Sequence, residues 1–137
     1  MTDTELRELC NRFLDAVETH DLDAVRAAYH PDLRFWFNVT GSESTVEDNL
    51  TALAEGVHRN RRRTYDDRTI NTFETGFFVQ YSVNVVTHSG HRTSLWACLV
   101  AQCRDGRIWR MDEYLDSGKF GAGALKRVTA PKQEAGA

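Results

Sequence analysis

The sequence predicts an α+β domain, with helices gathered in its first third and one long antiparallel sheet behind them. Three observations carry that reading. Apolar residues recur at helical spacing up to about residue 58, and from Arg61 the period changes to two. The links between the later segments are only two or three residues long, too short for parallel crossovers, so four strands have to form an antiparallel meander. A helix layer against the concave side of such a sheet would enclose a pocket.

The elements follow in order. Leu6, Leu9, Cys10, Phe13, Leu14 and Val17 form one apolar stripe, and Thr2 with Glu5 has capping-box spacing ahead of it. Asp21 is placed to cap a short second helix, Leu22 to Tyr29, which Pro31 stops. Leu33 to Asn38 makes a short strand. Ser44 and Glu47 have capping-box spacing before Val46, Leu50, Leu53, Ala54 and Val57, a third helix ending near His58. Strands are then expected at about 63–74, 77–88, 92–104 and 107–116, rich in Thr, Val, Phe, Tyr and Trp. Their links are Glu74-Thr75-Gly76, Ser89-Gly90-His91 and Asp105-Gly106, and Asp-Gly between apolar runs is a strong hairpin signal. Segments of this length exceed the usual strand of about five or six residues, so the sheet has to twist and bend.

Composition bounds the function. The 137 residues, 41% hydrophobic, suit one domain, expected over residues 1–128, with a flexible tail at 129–137 that holds little to bury. A net charge of −3 argues against nucleic-acid binding, where a basic excess supplies most of the affinity. No apolar run approaches the roughly 18 residues of a membrane span, and the charged start lacks the apolar segment of a signal peptide, so a cytoplasmic protein is expected. Cys10, Cys98 and Cys103 have no metal or disulfide spacing and read as free thiols. His20, His30, His58, His88 and His91 have no ligand spacing, and no phosphate loop or nucleophile elbow occurs, so neither metal nor cofactor is expected.

Two stretches carry a family signal. The first is His20-Asp21-Leu22-Asp23-Ala24-Val25 followed by Tyr29-His30-Pro31-Asp32-Leu33; the second is Asp105-Gly106-Arg107-Ile108 followed by Glu113-Tyr114-Leu115-Asp116. With the order of elements, they resemble the SnoaL-like branch of the nuclear transport factor 2-like superfamily over about residues 4–120. The resemblance implies a cone-shaped fold with an interior pocket, in a homodimer packed through the sheets. It does not imply one activity, because polyketide cyclases, ketosteroid isomerases, limonene epoxide hydrolases and non-catalytic binders share the scaffold.

Carried over residue by residue, the resemblance puts a catalytic carboxylate on the last strand at Glu113. The Arg-x-Asp pair of the epoxide hydrolases would fall on Gln80 and Ser82, their water-orienting Tyr and Asn on Phe35 and Phe37, the cyclases' histidine on Leu99, and the isomerases' base on Asn38. Only the Glu113 position keeps a titratable group. If Met111 and Glu113 face inward, desolvation raises the carboxyl's pKa toward general-base duty.

The alternating segment Val79-Gln80-Tyr81-Ser82-Val83-Asn84-Val85 admits two readings. By polarity alone the apolar set faces the core. Through the resemblance, Gln80, Ser82 and Asn84 line the pocket and bind a polar ligand, while Val79, Tyr81, Val83 and Val85, with the Trp96, Cys98 and Val100 row, meet a second copy; this second reading is the one expected here. Phe35, Phe37, Asn38, Leu99 and Met111 complete the expected ligand contacts. Tyr65 and the other aromatics read as core. The basic run His58-Arg59-Asn60-Arg61-Arg62-Arg63 reads as an exposed strand entrance, the alternative being attraction of a phosphate or an anionic substrate. His88 reads as a surface turn residue, the alternative through the resemblance being one member of a pocket histidine pair like that of scytalone dehydratases. The function expected is cofactor-independent acid/base chemistry (cyclisation, isomerisation or dehydration) on a hydrophobic oxygenated small molecule. The alternatives are a non-catalytic binding or assembly protein, or a divergent epoxide hydrolase.

Overall fold

The computed structural model describes residues 1–116 and Gly118. In chain order these form α1 (Asp3–Glu18), α2 (Leu22–Ala28), β1 (Tyr29–Phe37), β2 (Ser42–Ser44), α3 (Val46–Gly56), β3 (Asn60–Phe73), β4 (Gly76–Thr87), β5 (Arg92–Arg104) and β6 (Arg107–Leu115). Three helices pack on one six-stranded sheet of order β2-β1-β6-β5-β4-β3, an α+β fold. The tail expected at 129–137 lies outside the described residues.

Helix starts are written in side chains. Thr2 and Glu5 form the reciprocal cap of α1, and the Asp21 carboxylate accepts from the Ala24 N–H at the start of α2. The cap of α3 lies one residue later than its spacing suggested: Thr45 pairs with Asp48, while Ser44 ends β2. The helical stripe of α1 is buried from Leu6 to Val17.

The meander forms with long strands in the expected places. Gly76 opens β4 where a Cβ would lie 1.9 Å from the Ala101 carbonyl oxygen, so no other residue fits. Asp105 and Gly106 both take positive φ (54° and 73°), the two-residue turn that Asp-Gly favours. The N-terminal strand is longer than expected and pairs in parallel with β6, so the sheet is mixed rather than antiparallel throughout. Its register shifts between Tyr29 and Arg34, around Pro31, which has no N–H to give to a ladder.

Which face of the sheet meets the helices corrects the expectation. Val79 (0% exposed), Tyr81 (1%) and Val83 (5%) are core, together with Leu95, Ala97, Leu99 and Met111. Their neighbours Gln80 and Asn84 keep accessible surface on the opposite face, and Ser82, also on that face, lies in register with Trp96, which is 62% exposed. The expectation put Gln80 with Leu99 on the pocket side, but Leu99 stands opposite Val79 and Gln80 opposite Cys98. Between β5 and β6 the register slips by one residue, from Gln102 opposite Arg110 to Cys103 opposite Ile108. Without the slip, counting from the Asp105-Gly106 turn puts Glu113 opposite Cys98 and so on the face of Gln80. With it, Glu113 stands opposite Leu99, which stands opposite Val79. A one-residue slip exchanges the two faces.

Candidate functional site

Glu113 is the only carboxylate on the inner face of β6, whose other inward positions are Ile108, Met111 and Leu115. Its Oε2 accepts a hydrogen bond of 2.7 Å from the Tyr81 hydroxyl, across β5 on β4. Burial pushes the Glu113 carboxyl above its ordinary value of 4.5; the Tyr81 bond and the positive charge of Arg63 oppose the rise without cancelling it. The result is a carboxyl that takes a proton more readily than a surface glutamate.

Three tyrosines gather around this carboxylate. Tyr65 on β3 meets Tyr81 edge to face, with ring centroids 5.4 Å apart. Tyr29, at the start of β1, gives its hydroxyl proton to Asn49 Oδ1 on α3 at 2.6 Å and packs on Phe13. Burial raises the pKa of all three, and the Glu113 charge adds to the rise in each, so they remain O–H donors at neutral pH. Phe35 and Phe37, beside Met111 and Glu113 in register, stack at 6.1 Å. Phe35, Phe37, Glu113 and Leu115 are only half-buried, so the helices leave this end of the inner face partly uncovered.

A second opening lies toward β3. A cavity of about 40 Å³ is lined by Val17 and His20 at the end of α1, Leu53 on α3, and Asn60, Arg63 and Tyr65 on β3. Tyr65 thus separates the cavity from the Tyr81–Glu113 pair.

The residues expected at the site fall into two groups. Phe35, Phe37, Leu99, Met111 and Glu113 share the inner face. Gln80, Ser82 and Asn84 do not: Asn84 bonds Asp66 and Ser94 on the outer surface. Asn38 is a clamp rather than a pocket group. Its amide donates to the Leu115 carbonyl at 3.2 Å and accepts from the Leu115 N–H at 3.1 Å, fastening β6 to the end of β1. His88 bonds the His58 carbonyl on the exposed side. Sequence reasoning missed Tyr81 and Arg63. Tyr81 was assigned to core or interface because an apolar neighbourhood hides a single hydroxyl. Arg63 was merged into a basic run of which it is the one arginine that lines the cavity. Among the described residues no group of three or more His, Cys, Asp or Glu stands close enough to hold a metal, and no helix is long and apolar enough to cross a membrane.

Solved structures share this architecture. A candidate polyketide cyclase from Xanthomonas campestris pv. campestris superposes with a TM-score of 0.77 at 20% identity, over 84% of this chain and 93% of that one. AclR, a candidate hydroxylase from Streptomyces galilaeus, gives 0.77 at 16% identity over 92% and 98%. An LEH-like epoxide hydrolase from M. tuberculosis gives 0.71 at 25% identity over 90% and 91%. No curated protein sequence matches. Neighbours with such different names fix the fold and leave the reaction open. The family model of the SnoaL-like domain matches residues 10–111, the span from the α1 stripe to the strand that carries Glu113, and the chain belongs to that family.

Proposed function

We propose that the protein is a cofactor-independent enzyme that moves a proton on carbon beside a carbonyl in a small, hydrophobic, oxygenated molecule, the step common to cyclisation, isomerisation and dehydration. The observation that carries the reading is the Tyr81–Glu113 pair, 2.7 Å apart on an apolar inner face beside the half-buried Phe35 and Phe37. The Glu113 carboxylate takes the proton from the carbon next to the carbonyl; the electron pair of that C–H bond forms the C=C bond of an enolate, and the π pair of the C=O bond moves to the oxygen. Tyr81 holds Glu113 in one orientation, and Tyr65, packed on Tyr81, is assigned as the donor for the oxyanion that develops. Gln80, Ser82 and Asn84, on the other side of the sheet, have no part in it.

The test is exchange of hydrogen for deuterium at the carbon beside the carbonyl, followed by NMR over a panel of enolisable cyclic and aryl ketones in D₂O. Wild-type protein accelerates exchange and Glu113→Gln, equal in shape, loses about 10² to 10⁴ of the rate. Equal rates in both proteins remove the base.

A non-catalytic ligand carrier is the second reading. It is favoured by the inner-face positions of β4 beside Glu113, Val79 and Tyr81, which offer no second carboxylate. A small molecule that co-purifies unchanged with wild type and Glu113→Gln alike, identified by mass spectrometry, would select it.

We also propose that the outer face packs against a second copy. It displays Trp96 (62% exposed), Tyr114 (46%) and Phe78 (37%), with Trp36 against Tyr114 at 5.2 Å. The helices cover only the other side of the sheet. A standard specific interface of about 800 Å² per subunit fits such a patch.

A further inference from the structure

We infer that the cavity beside β3 is a binding subsite for the carboxylate of a small organic acid, held by Arg63 with His20 at its mouth. The binding claim stands apart from the function proposed above.

Space is the first argument. By the measure in which one water needs about 10 to 15 Å³, a cavity of about 40 Å³ admits roughly three water-sized groups. That suits a carboxylate, one carbon and two oxygens, and is too small for a ring. Val17, Ala52 and Leu53 supply an apolar wall on which the rest of an acid can lie.

Charge is the second. The Nε of Arg63 is buried without a hydrogen-bond partner, and among the described residues Arg63 makes no ion pair. Buried donors are nearly always satisfied, and a guanidinium offers a planar fork matched to a carboxylate. The nearby anions are already engaged. Glu18 accepts from Arg68 and the Tyr65 N–H, Glu55 pairs with Arg59, and Glu113 accepts from Tyr81. Arg63 bonds the Tyr65 side chain and its charge is felt at Glu113, but its Nε stays unsatisfied and no carboxylate pairs with it.

The third argument is a local conflict at His20. The Asp21 N–H bonds the Ala16 carbonyl at 2.9 Å and the His20 N–H the Val17 carbonyl at 3.2 Å, the paired bonds that close a helix through a left-handed residue. His20 is that residue, with φ of 58°, where glycine is favoured and a side chain costs stability. The side chain kept there lines the cavity. Local folding preference and cavity lining pull in opposite directions at this position, as they do where a side chain serves a ligand.

The experiment titrates phenylacetate and, as its uncharged shape match, phenylacetamide into the full chain, followed by calorimetry and by NMR. Phenylacetate binds about tenfold tighter than the amide or better, as a charge-assisted pair requires. Arg63→Gln removes that preference, and Arg63→Lys, which keeps charge and stem, retains part of it should the Gln variant fail to fold by circular dichroism. His20→Gly gives the distinguishing signature: a higher unfolding temperature together with weaker phenylacetate binding. Glu113→Gln loses deuterium exchange but keeps phenylacetate affinity within about threefold or improves it, since a neighbouring negative charge is gone. Equal affinity for acid and amide, undiminished binding to the Arg63 variants, or no binding of phenylacetate at 10 mM overturns the subsite. Unchanged affinity in His20→Gly overturns the part given to His20. A wild type without exchange activity that still prefers the acid through Arg63 keeps the subsite and removes the enzyme reading alone.

Discussion

The two faces of β4 run side by side for twelve residues and do opposite work. Inward, Phe77, Val79, Tyr81, Val83 and Val85 are buried, and the only polar atom among these side chains, the Tyr81 hydroxyl, is bonded to Glu113. Outward, polar and aromatic side chains mix, and polar groups bond one another in view of water: Thr64 to Asp66, Asn84 to Asp66, Ser94 to Asn84. The difference shows where chemistry can be hidden in this fold. A polar group on the outer face is cheap, and water screens what its neighbours do to it. The same group on the inner face is desolvated, needs a partner, and has its proton affinity changed.

The sharpest way to break that contrast is Glu113→Gln. It lowers the proposed exchange rate by about 10² to 10⁴. Its effect on stability has the opposite sense. The folded carboxyl titrates above its unfolded value, so the native state holds more protons in the window between the two, and wild-type stability falls as pH rises through it. Glutamine removes that loss and still accepts from Tyr81. Thermal melts from pH 4 to pH 8 should show the variant gaining on wild type as pH rises. A variant that loses ground with rising pH would mean that Glu113 is stabilised as an anion.

Tyr81→Ala comes next. It opens a cavity in the core and leaves Glu113 without its donor, at a cost of about 3 to 5 kcal/mol. Gln80→Ala, one residue away on the exposed face, should stay within about 0.5 kcal/mol by urea unfolding. Similar costs at the two positions would contradict the assignment of faces.

Trp96→Glu tests the outer face as an interface. With Trp96 already exposed, the monomer's stability should change by less than about 0.5 kcal/mol, while light scattering at micromolar concentration reports a shift from dimer to monomer. A wild type that is monomeric under those conditions removes the interface.

How much of this was legible in the sequence depends on the range of the interaction. Local signals were readable: the Thr2–Glu5 cap, the α1 stripe, and the Asp105-Gly106 turn each involve residues a few positions apart. Glu113 was found through its distance from that turn. Tertiary facts were less so. The parallel pairing of β1 with β6 joins residues about eighty positions apart, and no local pattern announces it. The single-residue slip between β5 and β6 leaves no mark in the alternation, yet it decides that Glu113 meets Tyr81 and not Gln80. Polarity alone gave the right face for β4; the family register gave the wrong one, because it set Gln80 beside Leu99, whose partner is Val79.

The smallest expected effect lies on the outer face, at Asn84→Ala. The Asn84 amide donates to Asp66 Oδ2 at 2.7 Å, and Thr64 donates to the same oxygen at 2.5 Å. These two bonds, Thr64 first, hold the Asp66 carboxyl below its ordinary value of 3.8. A carboxyl depressed in the folded state adds stability above its unfolded pKa, and that gain is lost as pH falls through the folded value. Alanine at 84 leaves Thr64 in place, so Asp66 moves only part of the way back. Because Asp66 is exposed, water screens the interaction and replaces the lost donor, and the change at neutral pH should be at the limit of what a melt resolves. The measurable sign is the shape: wild-type and Asn84→Ala curves of unfolding temperature lie slightly apart at pH 6 and draw together as acid protonates Asp66 in both states. A gap that widens toward acid would mean that Asn84 acts through Ser94, its other partner at 2.6 Å, and not through the carboxylate.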